Sequence, residues 1–177
     1  NRIPFTLTEA RAIEPVFSSE IYLEKEATLS KVMKPPLQIL HIAAHGCHRI
    51  DQPDFSFILL EDQQVYTNDF LQMDLDYELV TLSACDTGQL KVTACEETIG
   101  LCRSILLAGA KAALLSLWKV DDEMNAVLIH FFYKSLAGGA TKSRALQQAQ
   151  LSVLQENPRM HPAFWGAFQL FGHTDPV

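Results

Sequence analysis

Apolar residues fall into two kinds of pattern along this chain, and the alternation between them predicts a fold. Short unbroken runs, Leu37 to Ala44, Leu79 to Ala84 and Ala112 to Trp118, read as buried strands. Between them, apolar positions recur at three- and four-residue spacing. Ile99, Cys102 and Leu106, with Leu101, Ile105 and Ala108, mark a helix from about Glu96 to Ala108 that Gly109 closes. Met124, Val127, Leu128, Phe131, Phe132 and Leu136 mark a longer one. Asp121 or Asp122 caps it and Gly138-Gly139 ends it. Thr141 caps a final helix that Asn157-Pro158 terminates, and Ala167 to Phe171 makes a last strand.

The smaller elements are read from local signals. Thr8 caps a short helix holding Glu9, Ala10, Ala12 and Ile13 before Pro15 stops it. Glu20 to Leu23 reads as a short strand, and Thr28 to Met33 as a helix ended by Lys34-Pro35-Pro36. Cys47 to Phe55 is polar and reads as a loop. Phe57 to Leu60 and Val65-Tyr66 form a hairpin, after which Thr67 caps a short helix with Phe70 and Leu71. A second polar loop runs from Asp86 to Cys95. Strands alternating with helices imply a mostly parallel sheet covered on both faces. In such folds a site lies beyond the carboxyl ends of the central strands, which is where His45 and Cys85 fall.

Composition narrows the classes. With 177 residues the chain is read as one domain large enough for a substantial core. Its 14 basic and 21 acidic residues give a net charge of −7 without a basic stripe, which argues against direct contact with nucleic acid. The most apolar run, Ile105 to Trp118, is broken by Gly109 and Lys111 and is too short to span a bilayer, so no membrane partner is expected. A start at Asn1, with no signal peptide opening the sequence, leads us to expect a fragment or processed chain. Cysteines at 47, 85, 95 and 102 make no Cys-x-x-Cys pair, and reduced thiols in the cytoplasm are expected.

The chemistry centres on Cys85 and His45. A thiol becomes a useful nucleophile as thiolate, and a neighbouring imidazole takes or balances its proton. Adjacent parallel strands ending in these residues, 40 positions apart, would bring them together without local contact. Gly46 lets backbone approach a substrate, and its amide with that of Cys85 could bind a developing oxyanion. Packing offers another account, since free cysteine is a common core residue and His41 or His45 could be satisfied core histidines. The run His41, His45, Cys47 and His48 also holds possible metal ligands. Its strand pattern and the lack of a completing cluster argue against a metal, and no cofactor is expected. Cys95 and Cys102, and Trp118 and Trp165, read as packing residues.

Several of these segments resemble the CHAT domain family, caspase-like cysteine peptidases related to caspases and separases. Ile39 to Gly46 looks like its histidine motif and Leu82 to Gly88 like its cysteine motif. Gly100 to Ala110, Leu117 to Asp122 and His161 to Phe168 fit in order, as does the weaker Thr8 to Leu29 region. The resemblance implies an α/β caspase-like three-layer sandwich, a mostly parallel central sheet with helices on both faces. It implies a cysteine endopeptidase cleaving a protein substrate, with His45 as base, Cys85 as nucleophile, and Gly46 as an oxyanion donor. It also leads us to expect residues 1–177 to be one such domain, lacking an N-terminal strand and upstream repeats. A regulatory repeat domain or activating partner is expected to control it. Asp121 and Asp122 lie where a first specificity pocket would favour a basic residue, although capping explains a carboxylate there equally well. Asp86 is a further substrate contact or a simple turn residue. The alternatives are a catalytically silent interaction or scaffold module, and acyl transfer by the same pair.

Overall fold

A computed structural model describes the backbone of residues 6–33, 38–47, 52, 55–86, 94–118 and 120–177. Three runs rich in apolar and β-branched residues form the parallel centre of a six-stranded sheet: β1 (Ile39–Cys47), β4 (Leu79–Asp86) and β5 (Ala112–Ser116). The hairpin β2 (Phe57–Leu59) and β3 (Gln64–Tyr66) pairs antiparallel to β1, and β6 (Phe168–Gly172) antiparallel to β5. The order across the sheet is β3-β2-β1-β4-β5-β6. The parallel expectation therefore holds for the central strands, and the outer pairs run antiparallel.

Helices cover both faces. On one face, α2 (Leu29–Val32), α3 (Thr67–Phe70) and α4 (Ala94–Leu107) bury Val32, Phe70, Leu101, Cys102 and Ile105 against Ile42, Ala44, Val80 and Leu82. On the other, α1 (Thr6–Ile13), α5 (Asp122–Ala137) and α6 (Lys142–Glu156) pack Ile13, Leu128, Ile129, Phe132 and Ala149 against Leu79, Ala112 and Leu114. Strand alternation explains the split, because successive side chains point to opposite faces. Among the described residues, no helix is long and apolar enough to cross a membrane.

Several boundaries differ from expectation, each for a physical reason. β1 does not stop at Ala44 but continues through Cys47, because its last three residues find a second partner in β2, with His45 opposite Leu59 and Cys47 opposite Phe57. β4 likewise runs on to Asp86 alongside them. Glu20 to Leu23 is not a strand. Among the described residues it joins no strand of the sheet, and a 3₁₀ turn, Glu24–Glu26, follows, with Glu24 at φ 47°. Thr8 lies inside α1 rather than capping it, and β5 ends at Ser116 rather than Trp118. α6 is not the final helix, for α7 (Pro162–Trp165) follows, opened by His161 Nδ1 accepting from the Ala163 amide at 3.2 Å. The expected stop at Pro35-Pro36 and most of both polar loops lie outside the described residues.

Two details at the base of the sheet carry weight. Gly172 ends β6 at φ 90°, and a Cβ there would meet the Lys111 carbonyl oxygen at 2.3 Å, so only glycine lets β6 close on the turn before β5. Lys142 opens α6 with its side chain 1% exposed. Its Nζ lies 3.9 Å from Glu78 and finds no hydrogen-bond partner among the described residues, while Glu78 pairs with Lys111. A buried ammonium so weakly compensated is costly. Lys142→Met is expected to raise stability by about 1–2 kcal/mol, read as an upward shift in the denaturant midpoint. A fall would show that the Glu78 contact outweighs desolvation.

Candidate active site

The two central strands enter the sheet in step, with Ile39 beside Leu79. His45 and Cys85 each stand six positions further on, so they are paired positions at the carboxyl ends of adjacent parallel strands. Gly46 and Asp86 form the next pair, and Gly46 also faces Ile58 of β2. The structure thus brings together His45, Gly46, Cys85 and Asp86. The side chains of Cys85, Asp86, Cys95 and Asp122 lie outside the described set, as does His48. The His45 ring has both nitrogens buried, and neither finds a hydrogen-bond partner among the described residues. A buried imidazole whose nitrogens find no partner among the described residues is a candidate for chemistry.

Beneath His45 lies a buried polar layer that sequence reasoning did not assemble. Ile39, His41, Ala43 and His45 alternate onto the α1–α5 face of β1, and Leu79, Thr81 and Ser83 onto the same face of β4. Glu9 of α1, only 4% exposed, reaches into this layer. Ser83 Oγ donates to Glu9 Oε2 at 3.1 Å, and Asn125 Nδ2 of α5 donates to the same oxygen at 3.2 Å and to Ser83 Oγ at 2.7 Å. His41 Nε2 lies 3.0 Å from Glu9 Oε1, and its Nδ1 lies 3.0 Å from the Tyr133 hydroxyl. Tyr133 in turn donates to Thr81 Oγ1 at 2.9 Å. Burial holds the Tyr133 phenol well above its ordinary range, so it stays a neutral donor. His41 is therefore a core histidine with polar partners. The available signal was the placing of Thr81 and Ser83 at alternate positions of an otherwise apolar strand, with the same parity as Cys85.

The remaining candidates fall at the same end of the sheet or in the core. Asp121 is the N-cap of α5, its Oδ1 accepting from the amides of Glu123 at 3.2 Å and Met124 at 3.3 Å. Asp122 is the first helical residue. Trp118 is 38% exposed, with Nε1 donating to the Ala163 carbonyl at 2.8 Å, while Trp165 Nε1 reaches Met160 O at 3.3 Å. Both indoles are tethered to backbone, and Trp118 keeps an open face, which packing alone does not predict. Cys102 is buried among the α4 core residues, and burial pushes its thiol up to about 11, so it stays protonated across neutral and mildly alkaline pH.

A parallel centre with antiparallel flanks and a helical layer on each face defines an α/β protein of the caspase-like sandwich class. The chain belongs to the CHAT domain family, whose model matches residues 1–173 and whose fold relates it to caspase-type peptidases. It is 36% identical over 113 residues to "Tetratricopeptide repeat protein 28" of Homo sapiens; the match covers 64% of this chain and 4% of that protein.

Proposed function

We propose that this domain is a cysteine endopeptidase acting through Cys85 and His45. The observation that carries the reading is the direct pairing of these two positions at the open ends of β1 and β4. His45 takes the Cys85 proton, the sulfur adds to the scissile carbonyl, and collapse expels the amine with that proton. Water, deprotonated by His45, then hydrolyses the thioester and restores the thiol. The Gly46 and Cys85 amides serve the oxyanion. Asp86, Asp121 and Asp122 are the acidic residues that would favour a basic residue before the cut. Control by a repeat region or activating partner is supported by the repeats named in the human relative. The free thiols of Cys47 and Cys102 support a cytoplasmic setting.

The test is competitive labelling of the native protein with a peptidyl electrophile carrying a basic residue, read by mass spectrometry. Cys85 is expected to react at least about tenfold faster than Cys47, Cys95 and Cys102, and His45→Ala to remove the advantage. First labelling at Cys95 or Cys102 with Cys85 inert would overturn the reading and favour the scaffold alternative. Tighter capture of peptides with aspartate or an aliphatic residue before the cut would remove the basic preference.

A further inference from the structure

The buried layer of Glu9, His41, Ser83 and Asn125 is not explained by stability. Desolvating a carboxylate and an imidazole is costly, and apolar residues of similar size commonly serve a core as well or better. Its placement is selective. On the same face, the row below is apolar, Ile39, Leu79 and Ala112, and β5 contributes Leu114 beside Thr81. Among the described residues of this face, the strand side chains that enter this polar layer, His41, Thr81 and Ser83, sit on the two strands that carry His45 and Cys85.

The hydrogen bonds also constrain the protons. Tyr133 has one hydroxyl proton and gives it to Thr81, so His41 Nδ1 approaches the phenol oxygen as donor. Oε2 of Glu9 already takes two donors. Nε2 and Oε1 then face each other across 3.0 Å with no other partner among the described residues, a gap that one shared proton fills. Glu9 is thus held from α1, α5, β1 and β4 at once.

We propose that Glu9 is a positioning residue for the dyad. Through Ser83, two positions before Cys85, and His41, four before His45, it fixes the floor on which both reactive residues stand. The inference rests on the peptidase reading. Two strand residues span about 7 Å, so a slip of the Ser83 layer is passed directly to Cys85. Misplacement of a reacting group by 1 Å can cost about a hundredfold in rate.

The experiment compares wild type with Glu9→Gln, which keeps the shape and removes the carboxylate. Two readouts are taken well below the unfolding temperature: the rate of Cys85 alkylation by iodoacetamide, and kcat and KM on a cleaved peptide. A roughly tenfold fall in alkylation and kcat, with KM within about twofold, is expected. A purely structural role would lower the melting temperature and leave both rates of the folded protein unchanged, which overturns the proposal. If wild type cleaves no peptide yet Glu9→Gln slows Cys85 alkylation, the peptidase reading fails and the positioning role stands. If wild type cleaves and Glu9→Gln matches it in both rates, the positioning role alone fails. If wild type cleaves no peptide and alkylation is unchanged, both fail. Should Glu9→Gln not fold, Ser83→Ala removes one donor to the carboxylate, and the same outcomes decide, with a smaller expected fall of about threefold.

Discussion

Cys85→Ala is expected to lower cleavage of any substrate this domain processes by about 10³- to 10⁶-fold, the range seen when a covalent nucleophile is removed and only binding and oxyanion stabilisation remain. His45→Ala should fall in the same range. Without a proton acceptor paired with it at the strand end, Cys85 loses the route to thiolate. The double variant should be barely worse than either single one, because the two residues act as one unit and their effects do not add. Single-turnover cleavage separates these losses from binding. Far-ultraviolet circular dichroism should show the fold intact, since both changes are truncations near the carboxyl ends of their strands. Residual activity within tenfold of wild type in Cys85→Ala would rule out this cysteine as the nucleophile.

Phe132→Ala should have the largest effect on stability. Phe132 is fully buried on the inner side of α5 and meets Tyr133 edge-on, with ring centroids 5.2 Å apart. It belongs to the cluster that joins α5 to Leu79, Ala112 and Leu114 of the sheet. Losing the ring removes its transfer energy and leaves a cavity that rigid strands cannot close, a cost of about 3–5 kcal/mol. Domains are stable by about 5–15 kcal/mol in all, so a fall in melting temperature of about 10 °C is expected. Leu151→Ala in α6, where the side chain is 47% exposed, serves as the control and should stay within about 0.5 kcal/mol. A loss below about 1 kcal/mol for Phe132→Ala would mean that α5 is not anchored through this ring.

Much of the architecture was legible because burial imposes a period. Ala112 to Leu115 is apolar without alternation, as a strand covered on both faces must be, and Leu79 to Ala84 departs from that pattern only at Thr81 and Ser83. Asp121 and Thr141 announced their helices through the chemistry of free amides. The strand ends were harder to read. His45, Gly46 and Cys47 are polar or small, and they are extended because β2 and β4 hold them there, a non-local cause with no local sign. Glu20 to Leu23 erred the other way, since β propensity depends on its surroundings and the segment does not join the described sheet. Within the site, His45 and Cys85 could be read from their positions at the ends of two matched runs. The polar layer could not, because Glu9 meets Ser83 from 74 positions away and Asn125 from 116.

That separation has a consequence for the timing of assembly. Glu9 near the start of the chain closes onto Ser83 in the middle, and Asn125 and Tyr133 from the last third complete the same layer. A nascent chain that has exposed β1 and β4 can pair His45 with Cys85, yet it lacks the helix that covers them. On the proposed reading, a chain emerging from the ribosome would carry both members of the dyad well before it carries the layer proposed to position them. Synthesis itself would then keep the growing protein inert until α5 has been made and docked.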